Sequence, residues 1–200
     1  MNKPHEKEIS RDYSNETMTN RIEVRPGTRQ DVPDIVRVCT SSIEDGEDIG
    51  FGGSIFESQF GNVTNLLRAW REPNRVGLEE VFVAEVDGRL VGCVSIEEKA
   101  KEIELIDIDV ARDHHGQGIG SRIVQFVEEQ ARERGKRAVT LGTTRNSAGV
   151  PWTSFPWWLR RGYKVTHEEE NEWTRSIGIG IREIRMVKYV ALDDRESVGQ

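Results

Sequence analysis

Apolar residues recur along this chain with two periods, and the order of those periods predicts the fold. Ile22-Glu23-Val24-Arg25 alternates as a short strand, ended by Pro26-Gly27. Thr28, with Asp31 three residues on, has the pattern of a helix cap. Val32, Ile35, Val36 and Cys39 then recur at spacings of three and four, as the buried face of a helix. A second helix is expected over about 55–70. Residues 81–86 read as a strand, Asp87-Gly88 as a hairpin turn and 90–96 as the returning strand. Residues 103–110 form the third member of this meander, with Ile106, Ile108 and Val110 alternating against Asp107 and Asp109. Ile119, Ile123, Val124, Val127 and Ala131 mark one face of a further helix, with Glu128 and Arg132 as an i,i+4 pair and Gly135 at its C-cap. A strand comes next over 137–143, and segments opening at Gly162 and Ile184 close the sheet. The pattern predicts an α/β (α+β) domain with a mixed, mostly antiparallel twisted sheet of about six to seven strands flanked by helices. Residues 1–20 are expected to be a flexible arm, 21–192 the single domain and 193–200 a frayed tail.

Composition narrows the class. The 200 residues carry a formal charge of −7, which disfavours a general nucleic-acid binder. No stretch approaches the roughly 20 apolar residues of a membrane span, and the first residues lack the apolar core of a secretory signal. Cys39 and Cys93 match no metal-ligand spacing, and His114 and His115 find no third ligand at a helpful spacing, so no metal is expected. Two reduced structural cysteines and a cytoplasmic location are the expectation.

The chemistry concentrates after the meander. Strand 103–110 runs into His115-Gly116-Gln117-Gly118-Ile119-Gly120-Ser121, with three glycines in five residues just before a helix. Glycine lets the backbone approach a ligand closely, and a helix start offers unpaired N–H groups and a positive dipole end. Together they make a phosphate site. A Walker loop would need a lysine that is absent. A Rossmann fingerprint would need glycine where Ser121 or Ile123 stands, and alternating strands and helices rather than a hairpin before the turn.

The segment from His115 to Gly120 resembles the Arg/Gln-x-x-Gly-x-Gly/Ala signature of the GNAT superfamily of N-acetyltransferases, with His115 where the family usually has Arg or Gln. The resemblance extends over about 22–190, through the opening strand and helix, the Asp87-Gly88 hairpin, Gly162-Tyr163 and the closing Met186-Val187-Lys188. It implies acetyl-CoA bound where the fourth and fifth strands, 103–110 and 138–143, splay apart. Main-chain N–H groups of His115, Gly116, Gln117, Gly118, Ile119, Gly120 and Ser121 would cradle the pyrophosphate. Ile108 and Val110 would pair with the pantetheine arm, Val110 would polarise the thioester carbonyl, and Asn146 would contact the arm.

Acetyl transfer to an amine requires a neutral nitrogen, so a base or water relay must take a proton. Glu104, six residues before Val110, is the first candidate base, since several family members place a glutamate there. On a regular strand it shares a side with Ile106, Ile108 and Val110, and a bulge would break that parity. A solvated glutamate at a strand start is the competing reading, and Asp107 and Asp109 are the alternatives. The tyrosine that family members often place four residues before Gly162 is Trp158 here. No acid is assigned: Ser154, Tyr163 or water could serve, or the thiolate could leave unprotonated, since a thiol pKa lies near ~8.5. Trp152, Trp157 and Trp158 are either core or a wall around the acceptor. Glu44 and Asp45, in the acidic loop between the first two helices, are candidates for binding a cationic amine, or simply solvated.

The resemblance thus implies an acetyl-CoA-dependent N-acetyltransferase acting on a primary amine by direct transfer in a ternary complex, on a small molecule or on a peptide or protein. A catalytically weak CoA-binding sensor or interaction module of the same fold is the alternative, and a longer acyl group is a third. The family's closing strands often pair between subunits, so a homodimer is open.

Overall fold

The computed structural model describes residues 21–41 and 59–191. Its elements run β1 (Ile22–Pro26), α1 (Val32–Ser41), α2 (Val63–Ala69), β2 (Trp70–Arg71), β3 (Arg75–Val76), β4 (Glu79–Val86), β5 (Arg89–Glu98), β6 (Glu102–Val110), α3 (Ile119–Glu133), β7 (Ala138–Arg145), α4 (Phe155–Arg160), β8 (Lys164–Glu169), α5 (Glu172–Ile177) and β9 (Arg182–Tyr189). All nine strands join one sheet in the order β2-β3-β4-β5-β6-β7-β9-β8, with β1 pairing β4. Every pairing is antiparallel except β6 with β7.

The sheet is covered on both sides, which explains the near-continuous apolar runs of β4 and β5. On one face Ile103 and Leu105 of β6 and Ile184 and Met186 of β9 pack with Ile119, Ile123, Val124, Val127 and Ala131 of α3. On the other, Val81, Val83 and Cys93 pack with Val32, Ile35, Val38 and Cys39 of α1 and Leu66 of α2.

The two helical faces predicted from spacing are therefore the two core contacts. Among the described residues, nine strands stand where six to seven are expected. The excess comes mainly from the two-residue strands β2 and β3 on either side of the Pro73-Asn74 break, too short to show a period. Within the described part of the expected second helix, from residue 59 on, a 3-10 turn at Gln59–Gly61 precedes α2, whose first turn is capped by the Asn62 side chain accepting from the Asn65 N–H at 3.1 Å; residues 55–58 lie outside the described residues. Helix α5 carries no periodic signal; it is set by Asn171, whose side chain accepts from the Thr174 N–H at 2.9 Å. Glu128 reaches Arg132 only at 4.0 Å and instead takes Lys188 of β9 at 2.8 Å, an ion pair that ties α3 to the sheet. The expected arm over 1–20, the acidic loop with Glu44 and Asp45, and the expected tail over 193–200 lie outside the described residues.

Thr28 and Asp31 meet as the sequence pattern suggests. The Asp31 carboxylate accepts from the Thr28 N–H at 2.7 Å and from its hydroxyl at 2.8 Å. It also takes both terminal nitrogens of Arg25 at 2.8 Å each, joining the entry of α1 to β1. The Arg25 guanidinium holds the Asp31 carboxyl down at about 2, against the pull of partial burial. A depressed folded-state pKa stabilises fully above the unfolded value, near ~3.9, and that contribution drains as the pH falls toward the folded value. Asp31→Asn should therefore lower the unfolding free energy by about 1–2 kcal/mol at neutral pH, with the difference from wild type shrinking between about pH 5 and pH 2. Urea denaturation at several pH values measures it; a difference independent of pH would contradict this ion pair.

Candidate functional site

Strands β6 and β7 run parallel and in register only from Glu102↔Ala138 to Leu105↔Leu141. β7 then stays with β9 as far as Arg145↔Arg182, while β6 stays with β5 as far as Val110↔Gly92. The two strands therefore part at Leu105, as expected for the fourth and fifth predicted strands. The parting coincides with a bulge: Ser95 opposes Asp107 and Ile96 opposes Leu105, so Ile106 is an extra residue and lies 41% exposed. An extra residue bends its strand and re-aims the residues beyond it.

The bulge sets which main-chain groups face the opening. The Ala111 N–H donates to the Val91 carbonyl at 2.8 Å, and Asp109 and Asp107 stand in register at Cys93 and Ser95. Alternation then turns the N–H and C=O groups of Ile108 and Val110 away from β5, toward the gap. An imidazole nitrogen of His115 already meets the Val110 carbonyl there, at 2.8 Å.

The glycine turn sits at the end of this edge. Gly118 is the N-cap of α3 in the left-handed region, at φ 84°, where a side chain would be strained. The first bond of the helix runs from the Arg122 N–H to the Gly118 carbonyl at 3.0 Å, so the N–H groups of Ile119, Gly120 and Ser121 precede the ladder. A Cβ on Gly120 would stand 3.8 Å from both Val110 and Trp157. Arg161 stacks on Trp157 at 4.9 Å and donates to the Ser121 hydroxyl at 2.7 Å and its carbonyl at 2.9 Å. A guanidinium beside a helix N-terminus adds positive charge to a positive end, an arrangement that an anion there would relieve. The N–H of His115 is spent on the Arg112 carbonyl at 3.1 Å, so the contact expected of it is replaced by a closed 3-10 turn. Neither Trp157 nor Arg161 carries a sequence signal for this role, because the link is a tertiary contact between α4 and α3.

The bulge also overturns the parity expected for β6. Ile103, Leu105, Ile108 and Val110 line the α3 face. Glu104, Asp107 and Asp109 therefore share the opposite face, and Glu104 lies across the strand from Ile108 and Val110. Glu104 is buried and bound by Lys99 and by Arg185, the latter at 2.6 Å. Burial alone would raise its carboxyl, but these two cations outweigh burial and hold it below the usual glutamate range. Asp107 sits beyond the bulge, where the gap opens. Burial pushes its carboxyl up, opposed only by the Ile108 N–H.

Other expected residues fall elsewhere. Trp158 is 4% exposed in the α3-side core, edge-on to Tyr163 with ring centroids 5.2 Å apart, so it is packing rather than a pocket wall. Burial pushes the Tyr163 hydroxyl well above its ordinary range, so it stays protonated and is a weaker acid than a free tyrosine. Ser154 is the N-cap of α4. The Asn146 side chain closes its own loop, accepting from the Ala148 N–H at 3.1 Å and the Val150 N–H at 2.9 Å. Trp152 is half-buried, with its N–H on the Thr144 carbonyl at 2.8 Å. Cys39 and Cys93 meet across the α1 interface at 3.6 Å, with an Asp109 oxygen nearby. Contact with Cys93 and burial push the Cys39 thiol up.

This architecture has known counterparts. The model of the acetyltransferase (GNAT) family matches residues 44–150. An uncharacterized N-acetyltransferase of Archaeoglobus fulgidus is 29% identical over 133 residues, covering 63% of this chain and 84% of the relative. The probable N-acetyltransferase camello of Xenopus laevis is 42% identical over 65 residues, which span 31% of this chain and 30% of that relative. Among solved structures, the paia N-acetyltransferase of Thermoplasma acidophilum in complex with coenzyme A aligns with a TM-score of 0.62 at 18% identity, covering 84% of this chain and 99% of that one. A GNAT family acetyltransferase of Elizabethkingia anophelis with acetyl-CoA bound aligns at 0.56 and 15% identity, covering 86% and 99%. These structural likenesses are of fold, and with the family match over more than half of the sequence they place this chain in the GNAT acetyltransferase family.

Proposed function

We propose that this chain is an acetyl-CoA-dependent N-acetyltransferase that acetylates a primary amine directly in a ternary complex, with Asp107 as the proton acceptor. The observation that carries the reading is the gap between β6 and β7, whose edge presents the main-chain groups of Ile108 and Val110 and ends at the helix start after Gly118. An extended amide-bearing arm fits such an edge as a strand would, and a pyrophosphate fits the N–H groups of Ile119, Gly120 and Ser121. His115 would yield the Val110 carbonyl to the arm, and Arg161 would add charge beside the phosphates.

Bound acetyl-CoA supplies the thioester and, at the end, a thiolate stable enough to leave unprotonated. The remaining work falls to the chain. Asp107 takes one proton from the ammonium of the acceptor, giving the nitrogen its lone pair for attack on the thioester carbon; the C–S bond then breaks as the CoA thiolate departs, and the second nitrogen proton, made acidic by the attack, passes to water. The Val110 N–H, facing the gap, donates to the oxygen on which negative charge develops. Among the carboxylates of β6, Asp107 suits the base role because burial raises it and no cation among the described residues clamps it. Glu104, held ionised between Lys99 and Arg185, instead fixes the paired end of the strands from which the gap opens.

Gly120→Val should weaken acetyl-CoA binding by about tenfold or more, ~1.4 kcal/mol, with little change in melting temperature. Calorimetric titration tests this, and unchanged affinity would remove the glycine turn from the binding site. Asp107→Asn should lower kcat by about 100-fold or more. A base works only when deprotonated, so wild-type turnover should rise with pH through a value above the ordinary aspartate range, and Asp107→Asn should abolish that limb while Glu104→Gln keeps it. CoA release followed against pH decides; a limb lost with Glu104→Gln and kept with Asp107→Asn would reverse the assignment.

A further inference from the structure

The face of the sheet under α1 carries a second carboxylate that acetyl transfer does not use. Val81 of β4, Ser95 of β5 and Asp107 of β6 oppose one another in register. Glu79, two residues from Val81 along β4, lies on the same face, with Ser95 between it and Asp107. Among the described residues no lysine or arginine pairs with Glu79 or Asp107. Lys99 and Arg185 are taken by Glu104 and Glu183, and Arg75 and Arg134 by Glu80. Ser95 is only 1% exposed, and its hydroxyl lies against the Glu79 carboxyl without closing a hydrogen bond of good geometry; Glu79 Oε2 is likewise buried without a close partner. Burial pushes the Glu79 carboxyl up, the Ser95 hydroxyl beside it draws it partly back, and the negative charges of Asp107 and Glu97 add to the rise. Buried polar groups left unpaired are costly and require a partner.

Resting on the acetyltransferase reading, we propose that the acceptor carries a second positive charge near its reacting amine, and that Glu79 and Ser95 hold that charge while Asp107 faces the amine. Glu79 and Asp107 stand on strands two apart, roughly 10 Å at the backbone, a span that admits two cationic centres side by side. Two cationic centres on a short aliphatic spacer, as in a diamine or a lysine beside another basic group, match the arrangement. The second centre completes the Ser95 and Glu79 hydrogen bonds and relieves the repulsion between the carboxylates. An acceptor with a carboxylate in that place would meet Glu79 and Glu97 and be rejected.

The test is CoA release with putrescine, with butylamine of the same chain length but one charge, with a short peptide presenting lysine beside arginine, and with glycine. The full chain should favour putrescine or the basic peptide over butylamine by about tenfold or more in kcat/KM, with glycine the poorest. The better of the first two tells a small diamine from a basic peptide as the source of the charge. Glu79→Gln should bring the ratio of dication to butylamine close to one, and Ser95→Ala should move it the same way by less. Acetyl-CoA affinity, measured on each variant, reports on folding and should not move. Equal use of putrescine and butylamine by wild type, or a ratio unaltered in Glu79→Gln, would overturn the inference and leave the acetyltransferase reading standing. Acetyl-CoA binding with no CoA release from any amine would overturn both.

Discussion

One extra residue in β6 governs this molecule. Up to Leu105 the strand is held on both sides, by β5 and by β7; after Ile106 it is held by β5 alone. A regular strand would have kept β6 and β7 zipped together along their length and consumed the main-chain groups of Ile108 and Val110. The bulge bends the strand away and leaves that edge for something other than protein. It also lets Ile108 and Val110 stay on the α3 face with Ile103 and Leu105 while Glu104, Asp107 and Asp109 share the opposite face. The gap, its chemistry and the placement of the carboxylates all stem from the same insertion.

Electrostatics then divides the α1 face into two halves. On the closed side Glu104 is matched by Lys99 and Arg185, and Glu183 by Arg185, so charge is balanced and the paired strands are fixed. On the open side Asp107 and Glu79 have burial without cations among the described residues. Two carboxylates three residues apart on one strand thus have opposite tendencies: one held charged, one pushed toward accepting a proton. The difference lies in their neighbours, since both are acids of similar intrinsic strength.

The large-scale order was legible in the sequence because it is written in periods. The spacing of Val32, Ile35, Val36 and Cys39, and that of Ile119 through Ala131, named the two helical layers, and Asp87-Gly88 named the hairpin between β4 and β5. The glycine turn pointed to a helix start at Gly118, where it lies. The features that sequence missed depend on single events or on distant partners. Ile106 carries no mark of a bulge, so a regular alternation put Glu104 with Val110. The clamp on Glu104 needs Arg185, 81 positions away on β9. Trp158 occupies the position where family members often carry a tyrosine, and packing with Tyr163 turns it into core. Glu79 and Ser95 carry no signal in a linear reading, and only the register of three strands brings them beside Asp107.

The central claim is that the edge of β6 beyond the bulge has no partner strand in the free protein and gains an extended partner when acetyl-CoA binds. Residue-resolved amide hydrogen exchange measures this directly. The N–H groups of Ile108 and Val110 should exchange far faster than those of Leu105 and Leu141 in the free chain, and should slow on addition of acetyl-CoA while the latter change little. Amides at 108 and 110 that are already protected without ligand, or that keep the same rate when acetyl-CoA is bound, would contradict the account.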